Sequence, residues 1–519
     1  MLTMKAKYGL KALIALARQG EQPLRASSLS KREGIPPKFA EIILFELTRA
    51  GLLNSQKGPG GGYFLARDPR LMSLGPLMRA LDGPLAPVPC VSETAYQRCE
   101  DCVDEETCRV RKLMQQVRDA SAQVLDGMTL ADLAGLQRIE LEEEKTSGAP
   151  ATNGTARLLE GMGKSTRMIM HKTSPLNGGP PPEELVRHQI TPQSLFFIRN
   201  HGTIPRIDAD SYRLEVDGLV DEPLRISLRE LRKQFEEVTV EAALMCAGNR
   251  RQEFDDIRPI RGEVPWGTEA VSNGTWTGVR LSDVLERAGL KSGARHVEFT
   301  GLDEVTRDGK TFGFGGSIPI HKARAEEVLL AYEMNGQPLA PTHGAPLRVV
   351  VPGFIGARSV KWLARIHAQR EPSLNYFQAV AYKMFPPHVR PENVDYTHGQ
   401  MLGELYTTAA ACSPARRAMP LRAGEMELRG YALGGDGRKV TRVEISVDDG
   451  QSWQEANVTP GTSPWAWYLW ECRATLPGDV SRVWVRAWDD HELQPPFAAD
   501  LWNFKGYMNN SWYCIRNSG

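Results

Sequence analysis

The stretch ALMCAGNRR, residues 243–251, combines residue types that could perform redox chemistry on an anion. Cys246 follows a β-prone run and precedes the small, turn-forming sequence Ala-Gly-Asn. A thiolate is a soft ligand for a redox metal, and the guanidinium groups of Arg250 and Arg251 suit an oxyanion or a phosphate. Because a single cysteine is more often a small buried apolar residue, the chemistry of this stretch has to be judged from the segments around it.

A second group of candidate ligands lies nearer the N-terminus, where four of the eight cysteines cluster. Cys90, Cys99, Cys102 and Cys108 have the spacing C-x8-C-x2-C-x5-C, whereas the other four are scattered. The N-terminus is not a convincing export signal, because Arg18 interrupts its short apolar run. We therefore expect a cytoplasmic chain, in which clustered cysteines indicate a metal site rather than disulfides.

The length and the charge of the chain bound what it can be. A chain of 519 residues predicts several domains, since single cores stop growing near ~250–300 residues. The formal net charge is zero, and no apolar run approaches the roughly 18–20 residues that span a membrane. Residues 1–70, however, contain 12 Lys and Arg against 5 Asp and Glu, a local basic excess of the kind that a DNA-binding module carries.

The elements of this basic region predict a helix-turn-helix. A first amphipathic helix is followed by a short one near residues 27–33, which stops at a glycine. Pro36 opens a third helix, for which Phe39, Ile43 and Leu47 are the predicted core stripe. Two helices joined by a tight turn are a DNA-binding arrangement.

A glycine-rich segment, KGPGGGYFL at residues 57–65, comes next and predicts a basic hairpin tip that could lie against phosphates. Together with the cysteine loop, these elements resemble the IscR/NsrR-type family of winged-helix transcription regulators over residues 1–135. The resemblance implies an α-helical winged helix-turn-helix domain that binds DNA.

The same resemblance implies a [2Fe–2S] cluster in the cysteine loop. Cys90, Cys102 and Cys108 match the family's three cysteine ligands, and Cys99 could supply the fourth. Arg111 stands where one branch of the family has a histidine ligand. Four thiolates would satisfy a structural zinc ion equally well, so zinc remains the rival metal.

Residues 136–170 are predicted to be a flexible linker. A charged run leads into a segment rich in Ser, Gly, Ala, Pro, Thr and Asn. Such a composition offers few apolar side chains to bury and favours a tether.

From residue 171 onward the composition becomes mixed α/β, and long motifs occur in the order of the sulfite oxidase family, which they closely resemble. These motifs are FFIRNHGTIP (196–205), ALMCAGNRR (243–251), IRGEVPWG (260–267), HGAPLRVVVPGFIGARSVKWL (343–363) and AYKMFPP (381–387). The resemblance implies an α+β molybdopterin-binding oxidoreductase domain over residues 171–395, with molybdopterin and its molybdenum as cofactor.

The resemblance also assigns roles to individual positions. Cys246 matches the thiolate that ligates molybdenum, Tyr382 the active-site tyrosine, Arg199 a residue at the open face of the metal, and Arg251 and Trp266 the substrate pocket. A cradle of cationic side chains suits a cofactor phosphate. The positions that match the cofactor-binding segments are Phe197, Ile198, Arg199, Asn200, His201, Asp303, His343, Arg348, Ser359, Val360 and Lys361.

Residues 396–519 predict an all-β domain. Short strands alternate with turn signals, which favours an immunoglobulin-like sandwich, and the segment resembles the dimerisation domain of the same oxidases. The resemblance therefore implies a homodimer. Those oxidases have Asn-Leu-Arg-Gly near the C-terminus, with an arginine that reaches the substrate, whereas this chain has Asn-Phe-Lys-Gly. Lys505 keeps the charge but lacks the planar, bidentate fork of arginine.

The combined interpretation is a molybdenum oxidoreductase that oxidises sulfite to sulfate, fused to a DNA-binding regulator domain, with no membrane partner. The electrons would leave to an external acceptor or to the N-terminal cluster, because the sequence contains neither a His-Pro-Gly-Gly nor a Cys-x-x-Cys-His haem pattern. The alternative enzymatic hypothesis is that a protein of the same fold reduces nitrate or a sulfoxide. A regulator that senses redox state or an oxyanion with little turnover is the alternative from another class.

Overall fold

The structure is a computed structural model that describes residues 3–20, 23–56, 58, 61–66, 68–69, 72–92, 95–99, 102, 104–105, 108–127, 129–134, 153–307, 310–415, 421–478, 482–491 and 493–516. The chain divides into two compact units, Met1–Lys145 and Thr146–Gly519. Each unit is described by itself.

The first unit is helical with one small hairpin. Its elements are α1 (Met4–Gln19), α2 (Ala26–Glu33), α3 (Pro37–Arg49), β1 (Leu53–Gln56), β2 (Gly62–Leu65), α4 (Leu74–Asp82), α5 (Arg109–Gly127) and α6 (Leu130–Leu133). Strands β1 and β2 pair in an antiparallel arrangement. This order of helices followed by a two-stranded wing confirms the winged helix-turn-helix class.

Helix α3 follows the predicted start but buries a shifted face. Gly34 ends α2 with a φ of 63°, in the left-handed region that glycine adopts without strain. Ile43 and Leu47 are buried as expected, but Phe39 is 44% exposed. Ala40 is buried in its place, because it lies three residues before Ile43 on the same helical face. The predicted core stripe was therefore wrong at Phe39. Parts of the predicted hairpin tip, residues 57, 59 and 60, lie outside the described residues.

The predicted linker, residues 136–170, is ordered in its second half. Residues 135–152 lie outside the described residues, but α7 (Asn153–Gly161) is a helix and β3 (Ile169–Thr173) is a strand. Leu159 is fully buried in a small apolar cluster with Met168 and Ile198. Single large apolar side chains spaced along this polar segment are enough to dock it, so a flexible tether through residue 170 was the wrong expectation.

The second unit begins with mixed α and β elements. They are β4 (Leu176–Gly179), α8 (Pro182–Leu185), β5 (Ile198–Arg199), β6 (Leu214–Gly218), β7 (Leu224–Ile226), α9 (Leu228–Gln234), β8 (Val238–Met245), α10 (Arg251–Ile257), β9 (Val271–Arg280), α11 (Leu281–Arg287), β10 (His296–Gly301), β11 (Val305–Arg307), β12 (Lys310–Phe312), β13 (Gly315–Pro319), α12 (Ile320–Ala323), β14 (Leu329–Met334), β15 (Gln337–Pro338), β16 (Arg348–Val350), β17 (Leu363–Gln369), β18 (Lys383–Met384) and β19 (Gln400–Met401).

Two five-stranded sheets form the framework of this α+β region. One has the order β13-β10-β17-β6-β7, and the other has the order β15-β14-β9-β8 with β16 also paired to β14. Strands β6 and β17 pair in parallel, whereas β8 and β9 pair antiparallel over eight residues. Strand β8 is buried along its second half, so the residues that follow it emerge inside the fold rather than at its surface.

The remaining part of the unit is a sandwich of two four-stranded antiparallel sheets, ordered β20-β21-β25-β24 and β23-β22-β26-β27. Its elements are β20 (Thr408–Ser413), β21 (Gly424–Leu433), β22 (Val440–Ser446), β23 (Gln454–Glu455), β24 (Asn457–Pro460), β25 (Tyr468–Leu476), β26 (Arg482–Asp489), α13 (Ala498–Leu501) and β27 (Tyr513–Arg516). Apolar side chains from both sheets share the main core of the unit, which confirms the all-β class of this region. Within the described part of the chain, no helix has both the length and the apolar character needed to cross a membrane.

Candidate active site

The end of β8 opens into a cavity of about 670 Å³, a volume that includes its open mouth. The cavity gathers segments that are far apart in the sequence: β5, the turn after β8, the loop before β16 and the loop that leads to β17. Its lining residues are Phe196, Phe197, Arg199, Asn200, His201, Leu244, Cys246, Asp303, Phe314, His343, Arg348, Gly356, Ala357, Ser359, Lys361, Trp362 and Tyr382. Eleven of these are predicted site residues, so the long motifs converge on one place.

Cys246 occupies a tight turn at the first position after β8. Its backbone N–H donates to the Ala270 carbonyl at 2.9 Å, and its Sγ accepts from the backbone N–H of Gly248 at 3.4 Å. A side chain at Gly248 would collide with the guanidinium of Arg251. The glycine therefore leaves room for the Arg251 guanidinium against this turn.

One end of the cavity is a cluster of cationic groups, of which Arg348 is buried and Lys361 is half-buried. Arg348 donates to the carbonyl oxygens of His343 and Ser359 at 3.0 Å each. Lys361 donates to the side-chain oxygen of Asn200 and to the Thr342 carbonyl. Among the described residues that line the cavity, Asp303 is the one carboxylate, so this end lacks most of its counter-charge.

Lys164, from the segment predicted as linker, completes this cationic end. It is buried, and its ammonium donates to the carbonyls of Gln193 and Phe196 at 2.5 and 2.7 Å. The ammonium also lies 2.9 Å from Nε2 of His343. A charged ammonium can only donate, so when Lys164 is protonated Nε2 is the acceptor and the contact orients the imidazole that lines the cavity.

The pKa values of this cluster shift in the direction that burial of charged groups dictates. Burial lowers the pKa of Lys164 to about 7 and that of Arg348 to about 9. Burial, reinforced by Arg348 and only partly opposed by Asp303, holds the pKa of Lys361 well below its usual value. The His343 pKa is also well below its usual value, through burial and the nearby Lys164, Lys361 and Arg348. A buried anion would offset these costs.

Two polar groups beside the cluster lack partners. The side-chain nitrogen of Asn200 and the hydroxyl of Thr342 are buried without a hydrogen-bond partner. Unpaired buried polar groups are costly in free energy. The donor set, the unpaired groups and the cavity volume together fit a phosphate-bearing cofactor such as molybdopterin.

Arg199, His201 and Tyr382 form the wall near the thiol. Tyr382 follows a π-helical turn, Phe377–Ala381, a feature frequent at functional sites. Its hydroxyl lies 2.9 Å from Nε2 of His201. Burial raises the pKa of the Tyr382 hydroxyl and holds that of His201 well below its usual value, so the pair is uncharged at neutral pH.

The two adjacent arginines of the ALMCAGNRR stretch have different hydrogen-bond partners. Arg250 is fully buried and donates twice to Glu253 at 2.8 Å, so it is bound within the protein. Arg251 donates to the carbonyls of Lys505 and Val264 at 3.0 and 2.7 Å.

The two cations predicted for the substrate, Arg251 and Lys505, share a carboxylate that the sequence argument did not single out. Glu263 lies 3.3 Å from the Lys505 ammonium and 3.8 Å from the Arg251 guanidinium. Burial alone would raise the pKa of Glu263, but Arg251, Lys505 and Arg199 together lower it. Neither Arg251 nor Lys505 is among the residues that line the cavity.

Tyr507 links this group to the cavity. Its ring stacks on Tyr382 with centroids 5.3 Å apart, and the Arg251 guanidinium lies 5.2 Å from the Tyr507 ring centre. Gly506 adopts a φ of 62° and lies against Arg251, which lets the C-terminal segment approach this closely. Tyr507 was not predicted as a site residue. Its position two residues after Lys505 was the one sequence signal that could have pointed to it.

The other predicted site residues lie just behind the cavity wall. Trp266 is fully buried, with an indole N–H that has no partner, and its ring contacts His171 edge-on at 4.7 Å. Ile198 belongs to the apolar cluster around Leu159, and Val360 belongs to the main core. These two positions support the cavity rather than line it.

The N-terminal cysteines lie along one irregular segment of the first unit. Cys90 is buried, and Cys99, Cys102 and Cys108 are half-buried. Arg111 connects two of them, since its side chain donates to the Cys90 carbonyl at 3.3 Å and its backbone N–H donates to the Cys108 sulfur at 3.4 Å. Among the described residues, no three His, Cys, Asp or Glu side chains are arranged to hold a metal ion.

Three family models match separate parts of the chain. Residues 2–135 match an iron-dependent transcriptional regulator, residues 201–377 match an oxidoreductase molybdopterin-binding domain, and residues 400–517 match a Mo-co oxidoreductase dimerisation domain. The predicted fusion of a regulator domain to a molybdopterin-type oxidoreductase region is thereby confirmed.

Individual relatives extend this result. The sulfite oxidase of Arabidopsis thaliana is 36% identical over 388 residues, covering 70% of this chain and 98% of that protein. Mitochondrial sulfite oxidase of Rattus norvegicus is 41% identical over 353 residues, 66% of this chain, and this chain spans 64% of its length. The sulfane dehydrogenase SoxCD of Paracoccus pantotrophus has the same fold, with a TM-score of 0.57 at 23% identity over 73% of this chain and 95% of its own. The chain belongs to the sulfite oxidase family.

Proposed function

We propose that the second unit is a molybdenum-cofactor oxidoreductase that oxidises sulfite to sulfate and passes two electrons to an external acceptor. The observation that carries the proposal is the convergence of Cys246, Arg199 and Tyr382 on one cavity whose far end is a buried cationic cluster. A thiol, a guanidinium and a neutral phenol then meet at one wall. This combination suits a soft metal ligand next to an anion site.

In this proposal the cationic end holds the cofactor. Arg348, Lys361 and His343 would bind the phosphate and the pterin, and the unpaired nitrogen of Asn200 would donate to the same group. Cys246 would ligate the metal. When bound, the cofactor supplies oxygen-atom transfer and a two-electron reservoir, chemistry that protein side chains lack.

The residues of the chain would act on the anion. Arg199 keeps its charge, because the negative groups nearby raise its pKa although burial alone would lower it. It can therefore hold the substrate's oxygens by charge-assisted hydrogen bonds. Tyr382, with its raised pKa, keeps its proton and can donate a hydrogen bond without adding charge.

The test is metal analysis of the purified protein combined with two dye assays, in which sulfite reduces an oxidised dye and nitrate or a sulfoxide oxidises a reduced dye. We expect about one molybdenum per chain and turnover with sulfite that exceeds turnover of nitrate or of a sulfoxide. Molybdenum with nitrate or sulfoxide turnover would move the proposal to the alternative reductase. Molybdenum without turnover of any of the three would favour the sensing regulator.

For the first unit we propose a DNA-binding regulator with a [2Fe–2S] cluster held by Cys90, Cys99, Cys102 and Cys108, with zinc as the rival metal. The basic excess of residues 1–70 and the match to an iron-dependent regulator support it. A unit that binds DNA acts where DNA is, which supports a cytoplasmic location.

Anaerobic purification tests this second proposal. The protein should contain iron and sulfide that disappear in the Cys102→Ala/Cys108→Ala variant. DNA binding should weaken steeply with salt, because phosphate contacts release counterions. Stoichiometric zinc without iron would overturn the cluster and leave the DNA-binding proposal standing.

We also propose that the chain is a homodimer, on the strength of the match of residues 400–517 to a dimerisation domain. Light scattering of the full chain should give twice the monomer mass of 57.6 kDa. A monomer at micromolar concentration would contradict the proposal.

A further inference from the structure

Glu263 has a position that the proposed reaction does not explain. The proposed substrate is an anion, yet this half-buried carboxylate lies between two cations that were predicted for the substrate pocket. The Lys505 ammonium is 3.3 Å from one carboxylate oxygen, and the Arg251 guanidinium is 3.8 Å from the other. The carboxylate thus occupies a place that suits a bound oxyanion.

The hydrogen bonds of Arg251 hold its guanidinium in place next to Glu263. Two of its N–H groups are held by the carbonyls of Lys505 and Val264. Its guanidinium fills the space beside Gly248 and Gly506 that any side chain there would take. Arg251 therefore cannot move away from Glu263 without breaking both of these hydrogen bonds.

The group formed by Arg251, Lys505 and Glu263 contacts the cavity through Tyr507, and its carboxylate interacts electrostatically with Arg199. Tyr507 contacts Arg251 on one side and stacks on Tyr382 on the other. The charge of Glu263 also acts on Arg199, which lines the cavity next to Cys246. Together with Arg199 at the cavity wall, the Arg251 and Lys505 cations behind it and the Glu263 carboxylate give this side of the cavity a formal charge of about +2 instead of +3.

We propose that Glu263 is a resident counter-ion of the substrate site, which lowers the affinity of the site for doubly charged anions. This inference rests on the proposed function, in which the substrate and the product are both anions. Sulfite near neutral pH is a mixture of singly and doubly charged ions, whereas sulfate is doubly charged. The carboxylate therefore disfavours the product more than the substrate and promotes product release.

The experiment measures binding of sulfate and nitrate by calorimetry to the purified, cofactor-loaded full chain. Glu263→Gln keeps the size of the side chain and removes its charge. It should bind sulfate about tenfold tighter and nitrate only two- to threefold tighter, because the electrostatic gain scales with the charge of the ligand. General damage to the site would weaken both instead.

Matched variants isolate the position of the charge. Glu263→Asp should bind sulfate as the wild type does. Glu222→Gln makes the same change in net charge at an exposed carboxylate that pairs with Arg287, and it should leave sulfate affinity unchanged. Unchanged sulfate affinity in Glu263→Gln, or an equal gain in Glu222→Gln, would overturn the proposal.

A compensating variant guards against misfolding of Glu263→Gln. Glu263→Gln/Lys505→Met restores the formal charge of the wall and should return sulfate affinity to within about twofold of the wild type. Continued tight binding in this double variant would contradict the counter-ion role. In the wild type, absence of sulfite turnover would count against the proposed reaction alone, while the sulfate binding of the variants would still decide the role of Glu263.

Discussion

The site has two ends, which we name after their proposed ligands: the cofactor end is the cationic cluster around Arg348 and Lys361, and the substrate end is the group formed by Arg251, Lys505 and Glu263. The two ends differ in how their positive charges are neutralised. At the cofactor end, Lys164 and Arg348 are buried, Lys361 is half-buried, and all three have lowered pKa values. At the substrate end, Lys505 and Arg251 are already matched by Glu263, whose pKa is lowered. The first end needs an anion to be stable, whereas the second has one built in.

This difference indicates different binding behaviour. An anion that enters the first end removes the repulsion between buried like charges, so its binding should be tight and nearly irreversible. An anion that reaches the second end competes with an ion pair that exists already, so its binding should be weaker and reversible. A cofactor and a substrate require those two behaviours respectively.

The largest effect should come from Cys246, which lies between the two ends. Cys246→Ser should reduce sulfite turnover by at least about a thousandfold, because a hydroxyl is a harder and poorer ligand for the metal than a thiolate. Pterin content should stay close to that of the wild type, since the cationic end is untouched. Steady-state kinetics measures the sulfite turnover, and pterin fluorescence measures the pterin content. Cys472→Ser, at another buried cysteine on β25, is the matched control and should retain activity. Substantial turnover in Cys246→Ser would refute the ligand assignment.

Removing one charge from each end separates their roles. Lys361→Met should lower pterin content roughly tenfold, since a buried charge-assisted contact contributes about 1.5–3 kcal/mol. The cofactor-free form of the same variant should be more stable, because an uncompensated buried charge is gone. Lys505→Met should leave pterin content unchanged. Pterin release measures the cofactor content, and thermal unfolding measures the stability of the cofactor-free form. Equal pterin loss in both variants would show that the two ends do not have different roles.

The sequence predicted the two ends with unequal success. Residues of the cofactor end lie in long motifs, so family resemblance located His343, Arg348 and Lys361, and the cavity brings them together. Lys164 was missed, because it lies in a polar segment whose few apolar residues gave no periodic signal. Its position depends on Leu159 docking into a distant cluster, a contact that local composition does not reveal.

At the substrate end the sequence identified the cations but not what they contact. Arg251 and Lys505 are 254 residues apart and meet through a backbone hydrogen bond, and Glu263 joins them from a third segment. A carboxylate in a loop is ordinarily a solvated surface group. Nothing in the neighbouring sequence indicated that Glu263 would lie half-buried between two cations. In the same way, the shifted face of α3 depends on tertiary packing that helical periodicity alone leaves open by about one residue.

The pairing with Glu263 changes what is expected of Lys505. The sequence alone predicts that Lys505→Ala lowers kcat/KM for sulfite roughly ten- to a hundredfold, as loss of a direct charged contact would. Because the ammonium is bound to Glu263, we expect only a two- to fivefold loss, mainly in KM. Lys505→Arg should preserve the activity, since a guanidinium can also pair with the carboxylate. A loss above twentyfold in Lys505→Ala would show direct substrate contact and break the contrast between the ends.

The smallest effect concerns the pH dependence of stability at the cofactor end. Burial lowers the Lys164 pKa to about 7 from its usual 10.5, so between these values the unfolded chain binds more protons than the folded one. The free energy of unfolding of the cofactor-free protein should therefore rise with pH across this window, by at most about 1.4 kcal/mol per pH unit from this residue. Below pH 7 the lysine is charged in both states, and its contribution stops changing.

Lys164→Met should flatten that rise, although the similarly lowered pKa of Lys361 leaves part of it in place. Urea unfolding at pH 7, 8 and 9 measures the slope, and Arg187→Met, at a largely exposed cation, is the control that should change nothing. Cofactor loading should also flatten the slope in the wild type, because a nearby anion raises the pKa of the ammonium toward its usual value. An identical slope in wild type and Lys164→Met would mean that Lys164 is already neutralised, and the cationic end would then need less counter-charge than its geometry indicates.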